Sequence, residues 1–165
     1  MILTIWRHGQ AASAARDSDR ELTETGIDDI SFGSDQFHQQ CNLRDLPLPS
    51  QILYSRWLRT SETADIIGRQ LPQATLAPDE ALIPGRRVQA VDQLLAGLPG
   101  GGPDHLILVS HQPLVSGLVD YYLGQPGKVA PLAPGGFAVL QMGVAGAGCA
   151  ELLFSAQPPE YRAQA

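Results

Sequence analysis

The sequence predicts an α/β fold of three layers: a mostly parallel central sheet, helices on both of its faces, and an antiparallel hairpin at the C-terminal edge. Three observations predict it. Short continuous apolar runs alternate with stretches of helical periodicity from the N-terminus to about Tyr122. Those runs lack the polar alternation of a strand with one wet face, as befits strands buried on both faces of a parallel sheet. Beyond Tyr122 the helical pattern stops, and two β-rich runs close the chain.

The elements follow in order. "ILTIW" (Ile2 to Trp6) is the first strand, and Ile27, Ile30, Phe37 and Cys41 form the apolar stripe of the first helix. "QILY" (Gln51 to Tyr54) is the second strand, followed by the stripe Trp57, Ala64, Ile67 and Leu71. "ATLA" (Ala74 to Ala77) precedes the stripe Val88, Val91, Leu95 and Leu98. "LILV" (Leu106 to Val109) precedes Val115, Leu118, Val119 and Tyr122. The Gly/Pro-rich stretch "GQPGKVAPLAPGG" then leads to "FAVLQMGV" and "AELLFSA", a terminal hairpin on the sheet edge. Residues 1–156 are expected to form a single domain and the polar residues 157–165 a flexible tail. Only the short stretch from Pro78 to Arg87 separates the third strand from its helix, which leaves no room for a cap subdomain.

Composition narrows the function classes. At 165 residues the chain is long enough for one well-buried core. Its net charge of −6 and pI near 5.0 argue against nucleic acid as a partner, because that binding draws on a basic face. No apolar run approaches the roughly 18 residues of a membrane span, and no secretory leader pattern opens the sequence, so a cytoplasmic protein is expected. Cys41 and Cys149 form no metal-binding or redox spacing and read as reduced residues in or near the core.

The few cations are placed tellingly. In open α/β sheets ligands collect beyond the carboxyl ends of the strands. The first strand ends in Arg7-His8-Gly9, the second in Ser55-Arg56-Trp57-Leu58-Arg59, and the "LILVS" strand in His111. Gly9 removes a side chain where backbone can approach a ligand. Ser55 reads as the N-cap of the next helix, with Arg59 in its first turn, and Pro113 fits the start of the helix after His111. Helix N-termini favour anions, and two arginines with two histidines suit a phosphoryl group. The same cations are the wrong company for a metal ion. His38, His105, Arg69, Arg86, Arg87 and Arg162 read as ordinary structural or surface residues, and Lys128 either borders the site or solubilises its loop.

"RHGQA", "RELTETG", "LYSRWLRTSETA" and "LVSHQPLV", in that order over about residues 2 to 120, resemble the histidine phosphatase superfamily, also called phosphoglycerate-mutase-like. The short chain, the "SDRELTETG" spacing and "SHQPLVSGLVDYYL" are most similar to the SixA phosphohistidine phosphatases. The resemblance implies that His8 takes the phosphoryl group, that Arg7, Arg59 and His111 hold its oxygens, and that Arg20 reaches the rim. It implies no cofactor, a phosphohistidine-bearing protein such as a histidine-phosphotransfer domain as substrate, and inorganic phosphate as product. Arg56 departs from the family pattern, which often has proline there, and Thr60 falls where the family varies.

A histidine attacks phosphorus only as neutral imidazole, and a neighbouring cation such as Arg7 favours that form. Its second ring nitrogen needs an acceptor, for instance a backbone carbonyl near Gly9. An ester-cleaving relative needs a carboxylic acid for its leaving group. Glu80, after the third strand, is the candidate proton donor, with a plain surface carboxylate as its other reading, and Asp79 and Asp104 are weaker candidates. Three functions stay open at this point: a phosphohistidine phosphatase, a small-molecule phosphomonoesterase or mutase, and a non-catalytic phosphate-binding module.

Overall fold

The computed structural model describes all 165 residues. Six strands, β1 (Ile2–Arg7), β2 (Gln51–Tyr54), β3 (Thr75–Pro78), β4 (His105–Ser110), β5 (Phe137–Met142) and β6 (Ala150–Ala156), form one sheet in the order β3-β2-β4-β1-β5-β6. The first four run parallel, and β5 and β6 add as an antiparallel hairpin beside β1.

Both faces of the sheet are covered, as the apolar runs require. Leu3 and Ile5 of β1 and Leu106 and Leu108 of β4 face one core, packed with α3 (Val88–Ala96) and α4 (Leu114–Leu123). Ile2, Trp6, Ile107 and Val109 face the other, packed with α1 (Glu24–Leu43) and α2 (Leu58–Arg69). Alternate residues of one run thus serve two cores, which is why the run carries no polar alternation. No helix is long and apolar enough to cross a membrane.

Local chemistry explains where α1 begins. Thr23 Oγ1 accepts the Gly26 N–H at 3.0 Å, a side-chain N-cap. A Cβ at Gly26 would lie 2.2 Å from the Gln10 carbonyl, so only glycine lets the loop after β1 lie against the helix. The "LTETG" stretch therefore fastens α1 to the segment that carries His8.

Several expectations need correction. Ile27, expected in the α1 stripe, is exposed, and the buried face instead runs through Ile30, Phe37 and Cys41. Trp57, not Ser55, stands at the N-cap position of α2, because the chain stays extended through Trp57. Cys149 is exposed in the hairpin turn, whereas Cys41 is buried. The C-terminal stretch packs back on the domain. Tyr161 is 2 % exposed, its hydroxyl donates to the Gly135 carbonyl at 3.0 Å, and Gln164 pairs with Ser155. The ring fits because α1 offers Gly33 there, where a Cβ would stand 2.5 Å from it.

No cap covers the sheet end. Asp79 to Arg87 holds only a 3₁₀ turn, Glu80–Leu82, which lies down on the sheet through buried Leu82 and the Ser110 hydroxyl donating to the Leu82 carbonyl at 2.7 Å.

Candidate active site

The strand order brings the candidate residues together. β2, β4 and β1 are neighbours, with Tyr54 beside Val109 and Arg7 beside Ser110, so the residues that follow them share one edge of the sheet. A cleft of about 350 Å³ opens there, lined by Arg7, His8, Arg59 and His111, with Asp17 and Arg20 at one side and Pro84 at another.

His8 is buried, and its Nδ1–H donates to the Gly9 carbonyl at 2.7 Å, which leaves the lone pair on Nε2. Arg59 Nε–H points at that nitrogen from 3.3 Å. Burial, foremost, and the charges of Arg59, Arg7 and Arg20 push the His8 pKa down to about 4, against the opposing effect of the Gly9 bond. The imidazole is thus neutral at physiological pH. The neighbouring cations do favour the neutral ring, but burial is the larger effect and the charge of Arg59 outweighs that of Arg7.

Arg59 is buried too, in the first turn of α2, and each of its three guanidinium nitrogens has a partner. Nη1 donates to the Asp17 carbonyl at 2.8 Å, Nη2 approaches the Asp17 carboxylate at 3.3 Å, and the guanidinium carbon lies 5.1 Å from the Trp57 ring centre. Arg7 donates from Nη1 to the Leu132 carbonyl at 2.8 Å, while its buried Nε has no partner. Burial lowers the pKa of both arginines, which nonetheless stay charged.

His111 Nε2 lies 2.8 Å from the Ser55 hydroxyl, and burial, then the charges of His8 and Arg59, push its pKa to about 3. The Ser55 hydroxyl accepts the Trp57 N–H and has no acceptor for its own proton other than His111 Nε2, so we assign that proton to the bond with Nε2 and the ring proton to Nδ1, a buried nitrogen with no partner. Buried polar groups are normally bonded, so the unpartnered donors on Arg7 and His111 stand out among the residues that line the cleft.

Gly9 lies outside the cleft lining, so the expected approach of its backbone to a ligand is not seen, whereas its carbonyl is the acceptor expected for the second His8 nitrogen. Its missing side chain serves packing, since a Cβ would stand 3.0 Å from Ile30 and 3.1 Å from the Gly26 carbonyl. Its carbonyl, rather than open space, serves the site. Glu80 is also placed differently: it is 61 % exposed and accepts Arg56 Nε–H at 2.7 Å, outside the cleft lining. Lys128 is exposed and lies outside the lining as well. Arg20 does line the cleft, donating to the Ala12 carbonyl and to Asp17. No group of three or more His, Cys, Asp or Glu is placed to hold a metal ion.

Sequence reasoning missed Asp17, the one acid in the lining. Partial burial would raise its pKa, but the hydrogen bonds and charges of Arg20 and Arg59 outweigh that and lower it. The signal was present in "RDSDR", where an acid stands three residues before Arg20. Gln10, Gln112 and Pro134 also line the cleft without having been singled out.

No family model matches the chain, and no curated protein matches it. Solved structures do. The protein histidine phosphatase SixA complexed with tungstate superposes with a TM-score of 0.78 at 26 % identity, over 96 % of this chain and 97 % of that one. The chain has the histidine phosphatase fold. A SixA protein from Nakamurella multipartitia gives 0.73 at 26 % identity over 95 % of each chain. The fold is shared as well with the SixA protein of Agrobacterium tumefaciens, at a TM-score of 0.76 and 21 % identity over 95 % of this chain and 98 % of that one. Since nearly the whole length superposes on SixA proteins, the histidine phosphatase fold here carries no added subdomain.

Proposed function

We propose that this protein is a phosphohistidine phosphatase that acts on phosphohistidine in proteins, histidine-phosphotransfer domains among them. The observation that carries the reading is the state of His8: a buried neutral imidazole with Nδ1–H fixed by Gly9 and Nε2 facing a cationic cleft. Likeness to SixA structures over nearly the full chain supports it. A site that only held phosphate would need no such nucleophile.

The reaction follows from these groups. The His8 Nε2 lone pair attacks phosphorus, and the incoming phosphoryl oxygens take over the Arg59 Nε–H and the free donors of Arg7 and His111. The bond from phosphorus to the substrate's imidazole breaks, and water then attacks phosphorus on His8, so that the P–Nε2 bond breaks and inorganic phosphate leaves. Solution water supplies the protons.

The leaving group selects the substrate. Imidazole departs readily, its conjugate acid having a pKa of roughly 6.5, whereas an alkoxide needs a positioned acid. Neither carboxylate near the site suits that task. Glu80 turns outward to Arg56, and Asp17 is held ionised between two arginines. The open cleft also admits a protein surface. Cytoplasmic signal transduction belongs to this reading.

The test is a substrate panel. The purified protein is expected to release phosphate from a phosphorylated histidine-phosphotransfer domain, through an acid-labile phosphoryl-enzyme, and to act poorly on phosphoserine and sugar phosphates. Glu80→Gln is expected to change phosphohistidine turnover by less than about twofold, against the roughly 100-fold typical of losing a general acid. Faster action on sugar phosphates, together with a large Glu80→Gln effect, would establish the phosphomonoesterase reading instead.

A further inference from the structure

The hydroxyl of Thr63 lies outside the cleft lining, yet it joins two of the elements that build the site. Thr63 follows Arg59 by one turn of α2 and is completely buried. Its Oγ1 donates to the Arg59 carbonyl at 2.7 Å. The same oxygen accepts the Gly9 N–H at 3.1 Å, across 54 residues of sequence. The first bond is the ordinary back-bond of a helical threonine and needs no functional explanation. The second is different, because it reaches the residue whose carbonyl holds the Nδ1 proton of His8 at 2.7 Å.

We propose that Thr63 is a positioning residue for phosphoryl transfer, anchoring Gly9 so that the Gly9 carbonyl stays on His8 Nδ1 and Nε2 stays turned to the cleft. The proposal rests on His8 acting as the nucleophile. Glycine has the widest backbone freedom of any residue, so the direction of the Gly9 carbonyl depends on what its neighbours fix. The His8 backbone is held independently, its N–H by the Ser110 carbonyl at 3.1 Å and its carbonyl by the Gly135 N–H at 2.9 Å. The Gln10 carbonyl is held by the Thr23 N–H at 3.0 Å. Between these anchors the Gly9 N–H has only Thr63. Removing that hydroxyl therefore leaves the backbone of His8 in place and loosens the carbonyl that selects its tautomer. Glu62, the residue before Thr63, plays a parallel part further out by accepting the Leu22 N–H at 2.7 Å, so two successive side chains of α2 fasten the loop that follows β1.

Thr63→Val keeps the shape and deletes the hydroxyl, whereas Thr63→Ser keeps the hydroxyl and deletes the methyl. Misplacing a reacting group slightly can cost up to about 100-fold, so Thr63→Val is expected to lower kcat about tenfold or more with KM within about twofold. Nitrogen-15 NMR of the imidazoles is expected to show His8 as the Nδ1–H tautomer in the parent protein and as a mixture in Thr63→Val. Thr63→Ser is expected to restore both the tautomer and kcat to within about threefold. Thr63→Ala serves the same measurements if Thr63→Val does not fold. Parent-like kcat and tautomer in Thr63→Val would overturn the proposal, and so would a Thr63→Ser protein as impaired as Thr63→Val, which would make the methyl's packing the cause. If the parent protein fails to turn over phosphohistidine, the functional reading falls, while the tautomer measurement still decides the part of Thr63.

Discussion

Two histidines at opposite edges of the sheet share the same surroundings on one side of the ring and differ on the other. His8 follows the carboxyl end of β1, and His105 opens β4 at its amino end. Each points Nδ1 at a backbone carbonyl 2.7 Å away, Gly9 for His8 and Pro47 for His105. Burial is the largest effect on both, and both pKa values fall to about 4. The difference lies in Nε2. In His105 it is consumed by the buried Thr4 hydroxyl at 2.8 Å, and in His8 it meets only the Arg59 Nε–H, at 3.3 Å, in the lining of the cleft. A buried histidine with a depressed pKa is therefore no sign of catalysis by itself. What the second nitrogen can reach decides its part, and the carboxyl edge of a parallel sheet is where it can reach a ligand.

The largest expected effect tests this contrast directly. His8→Ala is expected to lower phosphohistidine turnover by at least about 1000-fold, as loss of a nucleophile does, and to abolish the phosphoryl-enzyme. His105→Gln is expected to keep kcat within about twofold. A His105→Gln protein that loses turnover while remaining folded would erase the distinction between the two rings.

Next in size is Arg59→Ala, which removes the cation in front of the His8 nitrogen. A drop of roughly 100- to 1000-fold in kcat is expected, in the range seen when one preorganised donor to a transition state is lost. Circular dichroism should show the fold intact, although the Asp17 carboxylate loses one of its two arginine partners. An effect below about tenfold would mean that Arg59 merely fills space beside His8.

Much of this contrast was readable from the chain. Apolar runs in "ILTIW" and "LILV" give strands because both faces are buried, and residues after such strands fall on the ligand edge whatever the loops do. Arg7, His8, Arg59 and His111 are legible on that ground as residues that line one cleft, and the structural reading of His105 rests on its position at the other end of a strand. Contacts between distant segments were not readable. Nothing local indicates that Ser55 meets His111, that Asp17 meets Arg59, or that Thr63 meets Gly9. Glu80 illustrates the opposite failure, for its place after β3 suggested chemistry, while Arg56 draws it outward. Tyr161 was lost because a polar, Pro-containing tail conceals one aromatic residue that finds a glycine-lined slot on α1.

The smallest expected effect separates stability from catalysis in the same two rings. A histidine whose folded pKa lies below its unfolded value of about 6.5 takes a proton more readily in the unfolded chain. Its contribution to stability is therefore complete above about pH 6.5 and is lost as the pH falls toward the folded pKa. For His8 and His105 that window ends near 4, and for His111 near 3. Each such group adds about 1.4 kcal/mol per pH unit to the slope of unfolding free energy within its window. Urea unfolding between pH 6 and about 4.5 is thus expected to show a slope shallower by about that amount in His105→Gln than in the parent protein. The carboxylates titrate alike in both proteins, so the difference isolates one ring. At high pH the variant should be less stable by about 1–3 kcal/mol, because an amide replaces two buried hydrogen bonds imperfectly. Turnover should behave otherwise, with the acid limb falling near pH 4 in both proteins as His8 Nε2 takes a proton. Parallel unfolding slopes would show that His105 titrates alike folded and unfolded. A shifted acid limb in His105→Gln would show that the two edges of the sheet are electrostatically coupled.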